Sequence, residues 1–416
     1  MAAAVDRDRN EHTPPLSVEA ALALLLERAR PLTERESVAT ADARNRVLAE
    51  DLSSRVDQPA WNSSAMDGYA VRAAEVATGG AELAISQRIA AGRCGEPLAP
   101  GTAARIFTGA PVPDGADTVV VQEVCESVGQ QVRIPGDLEP GANIRQRGED
   151  VRAGDTVLTA GTRVGPQHLG LAASVGAERL PVLRRLRVAI FASGDELVMP
   201  GEPLSPGKIF NSNRFMYRAL LDALGCDVID LGIVEDSLDA TVEALRAGSA
   251  QADLVLASGG VSVGEEDHVR PAVQRLGTLD LWRIAMRPGR PLAFGHIGDT
   301  PFIGSPGNPV SLFVTFCLFA RPFILRMQGV AGDLTPIKLR ARAAFELTKP
   351  LPRREYLRAR LTQTDEGDPA VEVFPSRSSA ALTSLTWANG LVMVAEGQTV
   401  AVGDPVQFIP FSELTP

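Results

Sequence analysis

The sequence predicts a soluble multi-domain protein that combines a doubly wound α/β domain with further domains rich in β-structure. Its 416 residues exceed what one hydrophobic core usually organises. Strand-like and helix-like segments alternate from about residue 186 to residue 330, which is typical of a parallel sheet covered by helices. Two other regions consist of short apolar pieces separated by Gly and Pro, which is typical of small β domains.

The first segment has helical periodicity. Apolar residues recur every three or four positions between Ser17 and Arg30, with Ser17 as an N-cap and Pro31 just beyond the end. A second helix is predicted over Val38–Leu48, and a third over Pro166–Ser174. We expect an elongated, mostly helical domain from residues 15–57 and 152–182.

A β module interrupts this helical domain over residues 58–151. Its apolar pieces are short and bounded by turn residues, as in an all-β fold. The strand candidates are Leu83–Ile89, Ala104–Phe107, Thr118–Val121 and Gln131–Ile134. Because helical segments flank it on both sides, we interpret the module as an insertion.

The α/β domain is predicted over residues 183–332. Strand candidates are Leu186–Phe191, Asp227–Leu231, Asp253–Ala257, Leu281–Ala285, Leu292–Phe294 and Phe302–Ile303. Helix candidates are Asn213–Leu224, Leu238–Ala247, Val269–Leu276 and Pro309–Met327. Their alternation predicts a parallel sheet with helices on both faces.

A fourth, small β domain is predicted over residues 333–416. Its strand candidates are Leu339–Phe345, Tyr356–Thr364, Val371–Phe374, Leu391–Ala395 and Val406–Ile409. They are short and separated by turn-forming residues, which is the pattern of a compact β fold.

Charge and targeting features restrict the functional classes. The net charge of −10 argues against general nucleic-acid binding, which requires a basic face. An anionic ligand would therefore need clustered Arg or a bound metal ion. The N-terminus is charged, and the longest apolar run, Val310–Ala320, is too short to cross a bilayer. With four scattered cysteines, these features predict a cytoplasmic protein that binds no membrane.

A glycine-rich loop follows the third predicted strand of the α/β domain. It places Gly259, Gly260 and Gly264 among small residues and ends at Asp267. Glycines allow backbone N–H groups to converge on an anion and leave room for a phosphate. Asp267 could cap the following helix or bind a divalent cation. The loop indicates a site for a metal-bound phosphorylated ligand.

Carboxylates also follow the neighbouring predicted strands. Glu196 comes after the first strand and Asp236 after the second, and Asp267 ends the glycine loop. Carboxyl ends of parallel strands meet at one edge of the sheet, where ligands bind. Solvated loop acids and helix caps remain the alternative for each of them. Their combination favours a Mg²⁺ site, because this ion binds a few carboxylates together with phosphate oxygens.

Three arginines, Arg283, Arg287 and Arg290, lie at the end of the next predicted strand. The planar guanidinium group binds oxyanions with two hydrogen bonds and stays protonated. A basic loop that pairs with nearby acids is the alternative. Residues Ser305–Ser311 form a Pro/Gly turn that opens a helix, and this turn is either an anion seat or a tight connection.

These stretches, together with turn-rich motifs in the β module, closely resemble the molybdopterin molybdenumtransferase (MoeA-type) family, which includes the C-terminal domain of gephyrin. Taken alone, the β-module motifs also fit ordinary hairpin turns. The motifs that carry the resemblance are Ser64-Ala-Met-Asp-Gly-Tyr-Ala70, Thr108-Gly-Ala-Pro-Val-Pro-Asp-Gly-Ala-Asp117, Gly148-Glu-Asp150, Ser193-Gly-Asp-Glu-Leu197, Ser258-Gly-Gly-Val-Ser-Val-Gly-Glu265 with Asp267, Pro306-Gly-Asn-Pro-Val-Ser311 and, more weakly, Arg354-Glu-Tyr-Leu-Arg358. They occur in the family's order.

The resemblance implies a fold and a reaction. The expected fold has an elongated helical domain with an inserted β domain, a three-layer α/β/α domain similar to molybdopterin-binding proteins, and a C-terminal β-barrel-like domain. The expected reaction inserts molybdenum from molybdate into adenylylated molybdopterin, requires Mg²⁺ and releases AMP. It also implies a homodimer with a shared cleft, and possible partners among molybdoenzymes or cofactor-pathway proteins.

The resemblance further assigns roles to residues. Glu196, Asp236 and Asp267 are expected to bind the metal ion and the ligand, and Asp67, Thr108 and Asp150 to come from the other subunit. The expected substrate-binding residues are Ser258, Gly259, Gly260, Ser262, Gly264, Arg283, Arg287, Arg290, Pro306, Gly307, Asn308 and Arg358.

The sequence departs from the family pattern at several positions. Arg283, Arg287 and Arg290 stand where the family commonly has Lys, so a compact ammonium group is replaced by a wider fork. Asn62-Ser63 replaces a usual Asp-Asn pair, and Ser305 replaces a usual Leu. These changes bear on the choice between molybdate and tungstate. Two alternative functions are a nucleotide hydrolase similar to CinA and a scaffold similar to gephyrin.

Overall fold

The computed structural model of the protein describes residues 15–76, 79–260, 268–363 and 367–415. Internal contacts divide the chain into two compact units. The first unit contains the chain up to Glu36, Asn45–Val47 and everything from Leu183 onward. The second unit contains Ser37–Arg44 and Leu48–Val182. The four-domain division expected from the sequence stays a prediction.

The helices are α1 Val18–Arg28, α2 Pro166–Ser174, α3 Asn213–Leu224, α4 Leu238–Gln251, α5 Val269–Leu276, α6 Pro309–Thr315, α7 Arg321–Met327, α8 Thr383–Trp387 and α9 Phe411–Leu414. The strands are β1 Arg35–Ala39, β2 Leu52–Ser53, β3 Ser63–Ser64, β4 Gly68–Val71, β5 Ala81–Ile89, β6 Thr102–Ile106, β7 Thr118–Val121, β8 Glu126–Val128, β9 Gln131–Ile134, β10 Ile144–Arg145, β11 Thr156–Leu158, β12 Arg179–Leu183, β13 Arg187–Ser193, β14 Leu197–Val198, β15 Ile209–Phe210, β16 Asp227–Val234, β17 Leu254–Ser258, β18 Gly277–Arg283, β19 Met286–Arg287, β20 Pro291–Ile297, β21 Thr300–Ser305, β22 Leu339–Ala343, β23 Arg354–Gln363, β24 Pro369–Val373, β25 Gly390–Val394 and β26 Pro405–Pro410.

The second unit contains the β module that the sequence predicts. Its six-stranded sheet has the order β7-β4-β6-β5-β9-β8, and β5 and β6 are its parallel pair. Alternating strand residues supply the core, in which Tyr69 and Val71 pack with Val120 and Val132. Two short sheets, β1-β12 and β2-β11, flank α2.

The predicted helix over Val38–Leu48 is wrong. Its first residues belong to β1, and a single 3₁₀ turn, Thr40–Asp42, follows. Strand β1 pairs with β12, which lies far away in the sequence. Local periodicity could not reveal this partner, and tertiary pairing overrides a weak helical preference.

The α/β region of the first unit has a six-stranded sheet of order β16-β13-β17-β21-β20-β18. Strands β16, β13, β17 and β21 are parallel, as predicted. Strand β20 runs antiparallel to both of its neighbours, β21 and β18, which corrects the prediction of a wholly parallel sheet. Strands β20 and β21 form a tight hairpin in which Ile297 pairs with Thr300, and a connection this short requires an antiparallel pair.

Three layers result from the alternation of side chains along the strands. On β13, Val188 and Ile190 face one core, whereas Ala189 and Phe191 face another. Helices α3, α6 and α7 contribute to the first core, and α4 and α5 contribute to the second. The predicted α/β/α layering is confirmed.

The C-terminal region closes into a five-stranded barrel of order β23-β24-β22-β26-β25, because β25 also pairs with β23. Strand β19 joins the same sheet by parallel pairing with β23. Alternate strand residues such as Leu357, Val371, Val392 and Phe408 fill the barrel. The barrel therefore receives a strand directly from the arginine-rich segment of the α/β region.

Helices α6 and α7 are joined by a π-helical turn, Phe316–Ala320, into one apolar helix. This helix, Pro309–Met327, is long and apolar enough to cross a membrane. However, 89% of its most apolar window is buried inside the protein, as in the core helix of a globular domain.

Candidate functional site

Two of the predicted acids lie against the turn that follows β13. The Ser193 hydroxyl donates to Asp236 Oδ1 at 3.1 Å, and the Asp236 backbone N–H donates to Asp195 Oδ1 at 3.0 Å. The Glu196 carboxylate folds back over Gly194, where a Cβ atom would lie 2.5 Å from Glu196 Oε2. Lys208, which the sequence did not single out, donates to the Asp195 carbonyl. The structure thus brings Glu196 and Asp236 to the same turn.

The glycine turn after β17 packs closely on this acidic turn. Gly259 has φ +87°, and a Cβ atom there would lie 2.5 Å from the Ser193 carbonyl oxygen, so glycine is required. The Gly259 N–H donates to the carbonyl of Ser305 at the end of β21. A Cβ atom on Gly307 would lie 3.7 Å from the Gly259 Cα. The carboxyl ends of the neighbouring parallel strands β13, β17 and β21 therefore lie close together, and glycines occupy the points of closest backbone contact.

The remaining residues of this motif lie at or beyond the same edge. Ser258 is the buried last residue of β17, and Gly260 follows with φ +65°. Pro306 is buried, while Gly307 and Asn308 are exposed before α6 begins. Ser262, Gly264 and Asp267 lie outside the described residues.

The acidic pair is chemically suited to Mg²⁺. Within residues 15–76, 79–260, 268–363 and 367–415, no group of three His, Cys, Asp or Glu side chains is placed to hold a metal ion. Mg²⁺ commonly uses one or two protein carboxylates together with substrate phosphates and water. Glu196 and Asp236 beside a glycine turn satisfy that requirement.

A cavity of about 310 Å³ lies in the same unit, between the arginine-rich segment and the barrel. It is lined by Met286, Arg287, Pro288, Gly289, Arg290, Ser311, Arg353, Arg377, Ser378 and Ser379. Two of the predicted arginines, Arg287 and Arg290, are therefore brought together, whereas Arg283, the last residue of β18, is not in the lining. Sequence reasoning missed Arg353 and Arg377.

The cavity is strongly cationic. Its four guanidinium groups face one salt-bridge partner among the described residues: Glu355 Oε1, which lies 3.7 Å from Arg287 Nη1. No salt bridge to Arg290, Arg353 or Arg377 occurs in the described part of the chain. Positive charge thus exceeds negative charge around a space lined by serine residues. Such a site suits a small, doubly charged oxyanion.

Arg358, a predicted substrate-binding residue, lies behind the cavity. It is only 2% exposed, and burial lowers the pKa of its guanidinium group, while the carboxylate of Glu355 opposes this effect. Its Nη2 donates to the carbonyls of Ser376 and Ser378 at 2.6 and 3.2 Å, and its Nε donates to Ser384 Oγ at 2.9 Å. Its contacts support the loop that carries Arg377.

The cavity and the glycine turn are linked by the chain itself. The Val310 N–H at the start of α6 donates to the Ser379 carbonyl at 3.0 Å, and Ser311 lines the cavity. Ser311 is four residues beyond Gly307, a separation of at most about 14 Å even for extended chain. An anion in the cavity and a phosphate at the glycine turn would therefore be neighbours.

The second unit contains the other predicted group. Asp67 Oδ1 accepts two hydrogen bonds from Thr108, one from its N–H and one from its hydroxyl, both at 2.8 Å. These bonds, aided by the charge of Arg105, lower the pKa of Asp67. Asp150 is exposed, and its N–H donates to the Gln58 carbonyl; its carboxylate forms no hydrogen bond to Asp67 or Thr108 in this part of the structure.

Family profiles match most of the chain. The region described as "MoeA N-terminal region (domain I and II)" matches residues 16–176, "Probable molybdopterin binding domain" matches residues 189–326, and "MoeA C-terminal region (domain IV)" matches residues 340–411.

Individual proteins match over nearly the whole length. The molybdopterin molybdenumtransferase of Haemophilus influenzae is 36% identical over 402 residues, which cover 96% of this chain and 99% of the relative. A protein of the same name from Nostoc sp. is 37% identical over 86% of this chain and 84% of its own. The crystal structure of a molybdopterin biosynthesis moeA protein from Pyrococcus horikoshii superposes with a TM-score of 0.79 at 28% identity, covering 95% of this chain and all of that one. The chain therefore belongs to the MoeA family of molybdopterin molybdenumtransferases.

Proposed function

We propose that this protein inserts molybdenum from molybdate into adenylylated molybdopterin and releases AMP. The observation that carries the proposal is the arginine-lined cavity, which lies four residues along the chain from the glycine turn. A tetrahedral dianion and a phosphorylated ligand can thus be bound side by side.

The cavity is proposed as the molybdate site. Arg287, Arg290, Arg353 and Arg377 supply positive charge at every working pH, because the guanidinium group does not deprotonate. The lining serines Ser311, Ser378 and Ser379 can donate to the remaining anion oxygens. Arg358 acts from behind by fixing the loop that carries Arg377.

The glycine turn is proposed to receive the pyrophosphate of the adenylylated pterin. Gly259 and Gly307 have no side chains that could block a phosphate oxygen from the backbone of the turn, although the Gly259 N–H itself already donates to the Ser305 carbonyl. Glu196 and Asp236 would hold Mg²⁺ there, and Asp267 joins them in the proposal. When bound, Mg²⁺ neutralises phosphate oxygens and makes phosphorus easier to attack.

The proposed reaction has a simple balance. Water hydrolyses the pyrophosphate linkage by breaking one phosphorus–oxygen bond of the bridge. AMP then leaves, and the pterin keeps its own phosphate. Each molybdenum–sulfur bond that forms replaces a molybdenum–oxygen bond, and the displaced oxygen takes up protons and leaves as water. The oxidation state of molybdenum is unchanged, so no further oxidant or reductant is needed.

We further propose a cytoplasmic homodimer in which Asp67, Thr108 and Asp150 of one subunit complete the site of the other. The support is the sequence resemblance, together with the Asp67–Thr108 pair, which leaves the second carboxylate oxygen of Asp67 available. The four-domain boundaries belong to the same proposal, as do partners among molybdoenzymes or cofactor-pathway proteins.

The function is tested by incubating the purified protein with adenylylated molybdopterin, Mg²⁺ and molybdate, and measuring AMP by chromatography. We expect AMP release that depends on molybdate and falls sharply in the Arg377→Met variant. The matched control is Arg340→Met, which removes an exposed arginine from β22 of the same barrel. AMP release that is independent of molybdate would favour a nucleotide hydrolase, and no release above a protein-free blank would favour a scaffold.

A further inference from the structure

We infer that Arg105, on β6 of the second unit, is a positioning residue that fixes the Asp67–Thr108 pair for the reaction. This inference rests on the proposed function, because that function gives Asp67 and Thr108 their role. Arg105 contacts the chain on both the Asp67 side and the Thr108 side of the pair.

Hydrogen bonds attach Arg105 to the Asp67 side. Its Nη1 donates to the carbonyl of Gly68, the next residue after Asp67, at 3.0 Å. Its Nη2 donates to the Gln122 side chain, and the Gln122 backbone N–H in turn donates to the Asp67 carbonyl at 3.0 Å. One guanidinium group thereby fixes the backbone just after the Asp67 side chain, directly at the Gly68 carbonyl and through Gln122 at the Asp67 carbonyl.

Ring contacts attach Arg105 to the Thr108 side. The guanidinium carbon lies 4.6 Å from the centre of the Phe107 ring and 5.1 Å from that of Tyr69. Phe107 immediately precedes Thr108, and Arg88 covers the same ring at 4.4 Å. Tyr69 and Arg88 are the direct cross-strand neighbours of Arg105. Cation–π contacts of this kind restrict the ring and therefore the start of the Thr108 turn.

The hydrogen bonds of the pair explain why its position matters. An ionised Asp67 can only accept, so the Thr108 hydroxyl must donate to it and keeps its own lone pairs for a ligand. The Thr108 bonds, with a smaller contribution from Arg105, keep the pKa of Asp67 low. The other titratable groups around Arg105 are Tyr69, Arg88 and Cys125, and Glu123 acts on Cys125 in turn. Burial raises the pKa of Cys125 to about 11, so this thiol is neutral at working pH.

The test compares three variants of the full-length protein. Arg105→Met keeps an aliphatic side chain of similar length but removes the positive charge and the planar guanidinium group. Arg105→Lys keeps the charge but removes the planar guanidinium group. Arg133→Met is the control, because Arg133 lies on β9 of the same sheet and has an exposed salt bridge to Glu126 at 3.6 Å. The readouts are hydrogen–deuterium exchange of the peptide that contains Thr108, and the pH profile, kcat and KM of AMP release.

In Arg105→Met we expect faster exchange at the Thr108 amide and a kcat lower by about tenfold to 100-fold, since a misplaced group of the site can cost that much. The KM for molybdate should change little, and the acidic limb of the pH profile should move to higher pH. In Arg105→Lys the acidic limb of the pH profile should return to its wild-type position, whereas exchange at the Thr108 amide should stay fast. Arg133→Met should resemble the wild type in both measurements.

Unchanged exchange and kcat in Arg105→Met would overturn the inference, as would an equal loss in Arg133→Met. If Arg105→Met does not fold, hydrogen–deuterium exchange at the Thr108 amide of Arg105→Lys decides: faster exchange than in the wild type supports the inference, and unchanged exchange overturns it. If the wild-type protein releases no AMP, the proposed function fails, whereas the exchange comparison still determines whether Arg105 fixes the pair.

Discussion

Arg287 and Glu355 are direct neighbours across the parallel pairing of β19 and β23, with Arg287 Nη1 3.7 Å from Glu355 Oε1. The Glu355 side chain is only 4% exposed, whereas that of Arg287 is 46% exposed. The buried carboxylate of Glu355 lies on barrel strand β23, and Arg287 lies on β19 in the arginine-rich segment that lines the cavity. The pair therefore holds one cation at the cavity wall, while three further guanidinium groups surround the space.

Replacing Arg287 by Met should weaken molybdate binding more than it weakens the fold. Losing one charged hydrogen-bond donor to an anion costs about 1.5–3 kcal/mol, or roughly tenfold to 100-fold in KM. Arg287→Lys should show an intermediate KM, because charge remains while the two-pronged contact is lost. Steady-state AMP release against molybdate concentration measures both, with Arg340→Met as the control. A KM equal to the wild-type value in Arg287→Met would remove Arg287 from the anion site.

Replacing Asp236 by Asn should slow AMP release by about 100-fold, because removing one electrostatic group from a reacting centre has effects of that order. The amide can still accept the Ser193 hydrogen bond, so the melting temperature should change little. Asp239→Asn is the control, since Asp239 lies three residues further on, is 95% exposed and pairs with Arg275 at 3.4 Å. Equal rates for the two variants would show that position 236 has no special role.

The sequence predicted the α/β domain well because its signals are local. Helices α3 and α5 begin and end where the periodicity predicts, and the acids of Glu196 and Asp236 follow strands that the pattern located. In contrast, β1 and the antiparallel pairings of β20 with β21 and β18 depend on partners that periodicity does not reveal.

The cavity shows the same limit at the level of the site. Arg287 and Arg290 stand in a conspicuous cluster, whereas Arg353 and Arg377 are far from that cluster in the sequence. Closure of the barrel and the contact of Val310 with Ser379 bring them to the cluster. Arg358, which the resemblance predicts as a substrate contact, is buried and is not among the residues that line the cavity.

Replacing Gly259 by Ala should destabilise the first unit. A residue with a side chain is strained at φ +87° by about 1–2 kcal/mol. The added Cβ would also lie 2.5 Å from the Ser193 carbonyl, so the total loss should exceed the strain alone. Gly298→Ala isolates the strain, because Gly298 has φ +57° and open space around it. Urea unfolding should therefore rank wild type, Gly298→Ala and Gly259→Ala in order of decreasing stability.

Replacing Asp253 by Asn should give a stability loss that depends on pH. Burial raises the pKa of this carboxyl, but hydrogen bonds from Arg184 and Arg187 outweigh it, and the net pKa is lowered. A lowered folded-state pKa means that the ionised form stabilises the protein above the unfolded value of about 3.9 and that this contribution disappears as pH falls through the folded value. The Asp253 side chain is 13% exposed, so we expect a loss of about 2 kcal/mol at pH 7.

Denaturant unfolding at pH 7 and near pH 3 measures this dependence. The difference in unfolding free energy between wild type and Asp253→Asn should narrow at the lower pH, because below about pH 3.9 the unfolded chain takes up a proton at this carboxyl and is thereby stabilised relative to the folded protein. Asp222→Asn is the control, since the Asp222 side chain forms an exposed contact with Arg218 at 4.0 Å. A gap that stays constant over this pH range would mean that the ionised state of Asp253 contributes nothing.

Replacing Arg358 by Met should act on the cavity through the loop that Arg358 supports. The change removes the donors to the carbonyls of Ser376 and Ser378, so the segment carrying Arg377 gains freedom. We expect the KM for molybdate to rise by about tenfold, together with a loss of about 1–3 kcal/mol of stability from the unpaired buried groups. Ser384→Ala separates the two effects, because it removes the Nε partner at 2.9 Å and leaves the loop contacts in place. Ser384→Ala should lose stability while its KM for molybdate stays at the wild-type value. If the KM of Arg358→Met also stays at the wild-type value, Arg358 serves the fold alone.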